Sequence, residues 1–279
     1  MSRIFKLALV QLAVSSNKKL NISNARTKII AAKNKLADVV CLPECFNSPY
    51  GVHHFNNYAE SFPDGETFQM LSSAAKEAGI YVIGGSVPER DSNDDRILRN
   101  TCTVWSPNGD LVAKYSKVHL FDIDIPNKIK FIESDVLSPG KNLQIASTPW
   151  GKIGIGICFD LRFPELASLY AQEGCELLVY PGAFNMTTGP MHWELLGRSV
   201  AINNQLYTAL CSPARDASSD YVAYGHSMVC DPWAKVIAKA DEHPDIIVTD
   251  IDFNVVDEVR QSIPLKKRTD VYNLPSKVD

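Results

Sequence analysis

The chain has 279 residues, 28 Lys+Arg against 32 Asp+Glu, and a formal net charge of −4. No basic block exceeds Lys266-Lys267-Arg268, so neither nucleic acid nor an anionic membrane is an expected partner. A hydrophobic content of 45% supplies a substantial core, and no apolar run approaches the roughly 20 residues needed to span a bilayer. The first stretch, MSRIFKLALVQLAV, is broken by Lys6 and Gln11 and reads as a buried strand rather than a signal segment. Helical patterns follow at 17–35 and 66–78, with the strand-like runs ADVVCLPE and IYVIGGSVPE closing the intervals. NTCTVWS and DLVAKYSKV are joined by the turn PNGD at 107–110, which suggests an antiparallel pair. KIGIGICF comes next, then a helix at 164–173 framed by Pro164 and Gly174. CELLVYPG, a helix at 190–203, LYTALCSPA, GHSMVCDP, KVIAKA and DIIVTDID complete the pattern.

Helices separate some strands and short turns join others, which predicts an α/β fold with mixed sheets layered by helices. No Pro/Gly/Ser-rich linker or repeat divides the chain, so residues 1–279 read as a single domain. Seven cysteines, an odd number at scattered positions, suit free thiols in a reducing cytoplasm.

Three strand-like runs end on chemistry: VVCLPE at Glu44, LVAKYSK at Lys117 and IGIGIC at Cys158. If those strands are neighbours in one sheet, their ends converge on one pocket. Each residue has an ordinary reading as well: a core thiol, a solvated strand-end acid, a surface lysine. A thiol at a sharp strand-to-helix turn is nonetheless presented beside free backbone N–H groups, and Glu44 or one of six histidines could serve as its base. GIGICF ends on Phe159 where a dinucleotide fingerprint needs glycine, and Cys41 and Cys45 lack a second pair for zinc.

Glu44 in LPE, Lys117 in YSKVHLF and Cys158 in GICFDLRFPELA, in that order, resemble the Glu-Lys-Cys triad of the nitrilase superfamily of carbon–nitrogen hydrolases. The likeness runs from about Lys6 to Tyr272. PECFNSPYG, KVHLFDIDIP, ESDVLSPG, VYPGAFNMTTGPMHWELLGRS, CSPARD and YGHSMV are most similar to its ω-amidase branch. The resemblance implies a four-layer αββα sandwich and a homodimer, with the helix at 164–173 and the segment beyond Asp252 as interface candidates. It implies a small-molecule substrate, the terminal amide of an α-keto acid such as α-ketoglutaramate or α-ketosuccinamate, and no metal or organic cofactor. Glu44 would be the base, Cys158 the nucleophile, Lys117 and the Phe159 N–H the oxyanion donors, and Glu133 a second glutamate beside the triad. For the substrate carboxylate the candidates are Tyr50, Thr187, Thr188 and Arg162; Arg162 could instead brace the turn against Asp160 or Glu165. Phe46, Phe121 and Met186 would be pocket walls. Another superfamily amidase, acting on deaminated glutathione, a carbamoyl amine or an N-carbamoyl-β-amino acid, is the alternative, and a non-catalytic binding member the more distant one. A mitochondrial fraction beside the cytoplasmic one is compatible with the sequence.

Overall fold

A computed structural model describes residues 3–127, 129–266, 268, 270 and 271. Tyr272, the end of the sequence likeness, lies outside them. The chain opens with β1 (Ile4–Gln11), α1 (Lys18–Asn34), β2 (Val39–Cys41), α2 (Val52–Tyr58), β3 (Glu60–Ser61) and α3 (Glu66–Ala78). Strands β4 (Tyr81–Ile83), β5 (Val87–Arg90), β6 (Leu98–Trp105) and β7 (Leu111–Ser116) follow. A hairpin, β8 (Asp122–Ile125) and β9 (Ile129–Ile132), leads to β10 (Ile145–Ser147) and β11 (Lys152–Ile155). The rest alternates: α4 (Pro164–Gln172), β12 (Cys175–Pro181), α5 (Gly189–Asn204), β13 (Tyr207–Cys211), β14 (Met228–Cys230), β15 (Val236–Lys239), β16 (Asp245–Asp252) and α6 (Phe253–Ser262).

The strands form an eight-stranded sheet, ordered β16-β1-β2-β4-β6-β5-β3 with β7 against β6, and a six-stranded sheet running from β10 to β15. Each has a parallel centre, β1-β2-β4 and β11-β12-β13, flanked by antiparallel strands. The period-2 alternation of β1 shows how the layers arise. Phe5, Leu7 and Leu9 join a core shared with Ile153, Ile155, Leu177 and Val179 of the second sheet. Ala8 and Val10, pointing the other way, meet Ala25, Ile29, Phe68 and Ala74 of α1 and α3. On the outer side of the second sheet, Leu166, Tyr170, Trp193 and Val200 bring α4 and α5 onto it. The result is the four-layer αββα sandwich, both sheets being covered on two faces as parallel strands require.

The one-sheet route to convergence needs correction. Glu44 and Lys117 follow β2 and β7 of the first sheet, whereas Cys158 follows β11 of the second. The site therefore forms where the two facing sheets meet at their ends. No helix among the described residues is long and apolar enough to cross a membrane.

Candidate active site

Strand β11 ends at Ile155, and the chain turns through a 3₁₀ segment, Cys158–Arg162, before α4 starts at Pro164. Cys158 sits at φ 49°, in the left-handed region that costs an L-residue about 1–2 kcal/mol. Packing holds it there: an added Cβ on Gly182 would lie 3.1 Å from the Cys158 Cα. Asp160 fixes the turn from within. Its fully buried carboxylate accepts from the Ile157 N–H (2.9 Å), the Tyr115 hydroxyl (2.7 Å) and the His119 N–H (2.9 Å), and contacts His119 Nδ1 (2.8 Å). Tyr115 and His119 bracket Lys117, so one aspartate ties the cysteine turn to the lysine segment.

Lys117 is wholly buried, as are the Glu44 and Glu133 side chains it pairs with. Its Nζ lies 3.2 Å from Glu44 Oε1 and 2.8 Å from Glu133 Oε2. Every carboxylate oxygen has a further donor. Asn100 Nδ2 donates to Glu44 Oε1 (2.9 Å) and the Ala183 N–H to Glu44 Oε2 (2.8 Å). Glu133 receives the Tyr50 hydroxyl (3.3 Å) on Oε1 and the Phe121 N–H (2.7 Å) on Oε2. A buried cation flanked by two fully hydrogen-bonded anions leaves its polar atoms satisfied.

The model of the carbon-nitrogen hydrolase family matches residues 6–261. The chain belongs to that family. It is 54% identical over 274 residues to "Omega-amidase NIT2" of Danio rerio, covering 98% of each chain. The relative of that name from Homo sapiens is 54% identical over 275 residues, again with 98% of both covered. Among solved structures, Saccharomyces cerevisiae Nit3, a member of branch 10 of the nitrilase superfamily, superposes with a TM-score of 0.88 at 43% identity, covering 95% of this chain and 96% of that one.

Within this carbon-nitrogen hydrolase, burial pushes the Glu44 carboxyl above the usual carboxylate range; Lys117 opposes the rise and Glu133 adds to it. Burial also raises the Cys158 thiol, reinforced by Glu44 and opposed by Lys117. Burial disfavours the Lys117 ammonium, but Glu133 and Glu44 outweigh it and hold the group well above an ordinary lysine. The cluster thus rests as a neutral thiol, a carboxyl of raised basicity and a fixed cation.

Cys158 opens onto a narrow cleft lined by Phe121, Phe159, Arg162, Ala183, Phe184, Thr188 and Tyr221. Free space there is about 10 Å³, room for roughly one water. Arg162 and Thr188 thus reach the cleft, and Phe121 is a wall as expected. Thr187 is half-exposed and does not line the cleft. Tyr50 is committed to Glu133 and lines a second cavity that Glu44 also lines. Two expected walls are corrected: Phe46 is buried in the core under α3, and Met186 is 43% exposed. The brace from Arg162 to Asp160 or Glu165 is corrected too. Asp160 is already filled by Tyr115, His119 and Ile157, and Arg162 lies over Phe184 with its Nη1 3.2 Å from His192 Nδ1. Among the described residues no carboxylate pairs with Arg162. Cys41 and Cys45 are buried free thiols, as their packing reading requires.

Asn100 and Asp160 were not legible as site residues. Asn100 offered a signal: a polar side chain opening the buried strand NTCTVWS, where an amide needs a partner. It holds both halves of the cluster, Glu44 by its side chain and the Lys117 N–H by its carbonyl (2.8 Å).

Proposed function

We propose that the protein is an ω-amidase, hydrolysing the terminal amide of α-keto-acid amides such as α-ketoglutaramate and α-ketosuccinamate to the dicarboxylate and ammonia. The observation carrying this is a buried Glu44–Lys117–Glu133 cluster acting on Cys158, with the guanidinium of Arg162, which pairs with no carboxylate among the described residues, on the same small cleft. The curated relatives of 54% identity carry the same activity in their names.

Glu44 takes the Cys158 proton as the thiolate attacks the amide carbon. The thiol is neutral at rest, so nucleophile and proton acceptor must act together. The oxyanion falls to the Lys117 ammonium and the Phe159 N–H, which has no protein partner among the described residues. One such donor is worth about 3–4 kcal/mol in the transition state. Glu44 then protonates the departing ammonia, leaving a thioester on Cys158, and finally activates water to release the acid. A carboxyl serving as base, acid and base again needs an intermediate pKa, which its burial supplies. Glu133 keeps Lys117 charged and in place.

Arg162 and the Thr188 hydroxyl hold the substrate carboxylate, and Phe121, Phe184 and Tyr221 close around a short chain. The rings must turn aside to admit it, which favours compact linear amides. Ranking purified amides by kcat/KM tests the reading: α-keto-acid ω-amides should lead, and preference for a carbamoyl amine or deaminated glutathione would overturn it. Arg162→Ala should raise KM for α-ketoglutaramate by about 30-fold, a loss of about 2 kcal/mol for one charge-assisted contact, while leaving a neutral amide of equal length nearly unaffected.

The pH profile follows from Glu44. Its folded-state pKa is raised, so the base is lost as pH falls through a value above the ordinary carboxylate range near 4.3. The acid limb of kcat/KM should lie above that value, and Lys117 should impose no alkaline limb until well above the usual lysine range.

Residues 1–279 act as one catalytic domain on this reading, working in the cytoplasm with its seven cysteines free and buried. We place a homodimer contact on the outer face of α5, where Met191, Leu195 and Ile202 are exposed, and on Ile263 and Leu265 after α6. Helix α4 offers less, since Leu166, Ala167 and Tyr170 all face the second sheet.

A further inference from the structure

Glu44 also lines a larger cavity of about 270 Å³, which shares Ala183 and Tyr221 with the Cys158 cleft. Its walls include Tyr50 and Tyr221, and His54 and Asp220 stand at its solvent edge. His53 and His54 open α2, while Asp220 belongs to the loop between β13 and β14, more than 160 positions later in the chain. One ligand atom from each of His53, His54 and Asp220 comes within 4.8 Å of the other two.

We propose that His53, His54 and Asp220 bind a divalent transition-metal ion of the Zn²⁺ or Ni²⁺ class, clipping α2 to the loop that carries Tyr221. The donor set is two imidazoles and a carboxylate, which suits borderline cations and gives Mg²⁺ or Ca²⁺ no advantage. Tetrahedral Zn²⁺ with bonds of about 2.0–2.1 Å needs ligand atoms about 3.4 Å apart. Closing from 4.8 Å asks only for rotation of side chains free to move, since those of His53 and Asp220 are 61% and 81% exposed. The donors are also uncommitted. Among the described residues, neither imidazole has a hydrogen-bond partner, and the Asp220 carboxylate contacts only His53 Nε2, at 3.8 Å. Asp216, by contrast, is spent on the N–H and hydroxyl of Ser218 and cannot compete for the ion. The imidazoles are already held together, ring centroids 4.0 Å apart, with His54 edge-on to Tyr58. Three protein ligands leave a fourth position for water.

The contact between α2 and the loop matters because Tyr221 lines both cavities. Its ring is 4.6 Å from that of Tyr50, its hydroxyl donates to the Ala183 carbonyl, and it walls the Cys158 cleft. An ion at the clip therefore restrains a residue of the cleft without touching the reacting atoms.

The test is a Zn²⁺ titration of the full-length Cys158→Ala protein against a chromophoric chelator, the substitution removing one competing thiol. Hydrogen exchange of residues 216–223 is followed in parallel. One equivalent should bind, slow exchange in that loop, and bind at least about 10-fold more weakly in both His54→Ala and Asp220→Asn. Both substitutions remove partly or largely exposed groups and should leave the circular dichroism unchanged. Mg²⁺ at the same concentration should change neither signal. Unchanged Zn²⁺ affinity in the two variants, an equal response to Mg²⁺, or no Zn²⁺ binding by the parent would overturn the proposal.

Discussion

Replacing Cys158 with alanine should cut kcat for α-ketoglutaramate by at least about 10⁴-fold while leaving a folded protein. Both halves follow from the turn. On the proposed mechanism the sulfur carries the acyl chain, and neither Lys117 nor Glu44 can form the thioester in its place. The fold survives because alanine meets the same left-handed backbone that Cys158 already occupies at φ 49°, so no new strain enters. What is lost is the burial of one small side chain, about 1 kcal/mol. Urea unfolding and ammonia release on the same preparation check both parts, and retained turnover would refute the assignment.

Lys117→Met should be worse, damaging activity and stability together. The side chain is similar in length, but Glu44 and Glu133 are left buried without their cation. Removing one partner of a buried ion pair costs about 3–5 kcal/mol. The sign of its pH dependence is specific. With the cation gone, nothing opposes the rise that burial and Glu133 impose on the Glu44 carboxyl, and its folded-state pKa stands further above the unfolded value near 4. A group raised in this way favours the fold fully below its unfolded pKa and loses that contribution as pH rises through the folded one. The loss against wild type should therefore be small near about pH 4 and full at neutrality. Urea midpoints across that range measure it; a pH-independent loss would point to packing alone.

These outcomes rest on an arrangement only partly readable from the sequence. Glu44, Lys117 and Cys158 stood out because each follows an apolar run, and α1, α3, α4 and α5 because their apolar periods are long. Which sheet each strand joins is a matter of long-range pairing, so the meeting of two sheets at the site was hidden. The helix α2 was missed since VHHFNNY spans seven residues with no apolar stripe. Arg162 was misjudged because its near neighbour Asp160 has its oxygens taken by groups 41 and 45 positions away. Met186 fits a pocket wall by composition alone; only the path of the chain between β12 and α5 turns it outward. Asn100 and Asp160, polar and wholly enclosed, share the same lesson: their partners, not their own residue type, define their role.

One measurement reaches the central claim directly. The protein is treated with a single equivalent of iodoacetamide, with and without α-ketoglutaramate, and the alkylated peptide is mapped. All seven cysteines are buried; Cys158 lines the small cleft and Cys45 the larger cavity, so the choice of Cys158 over Cys45, together with protection by substrate, is what reports activation. Activation by Glu44 beside the Lys117 charge should direct the label to Cys158 and substrate should protect it. Label scattered over the other six thiols, or a Cys158 signal indifferent to substrate, would contradict the account.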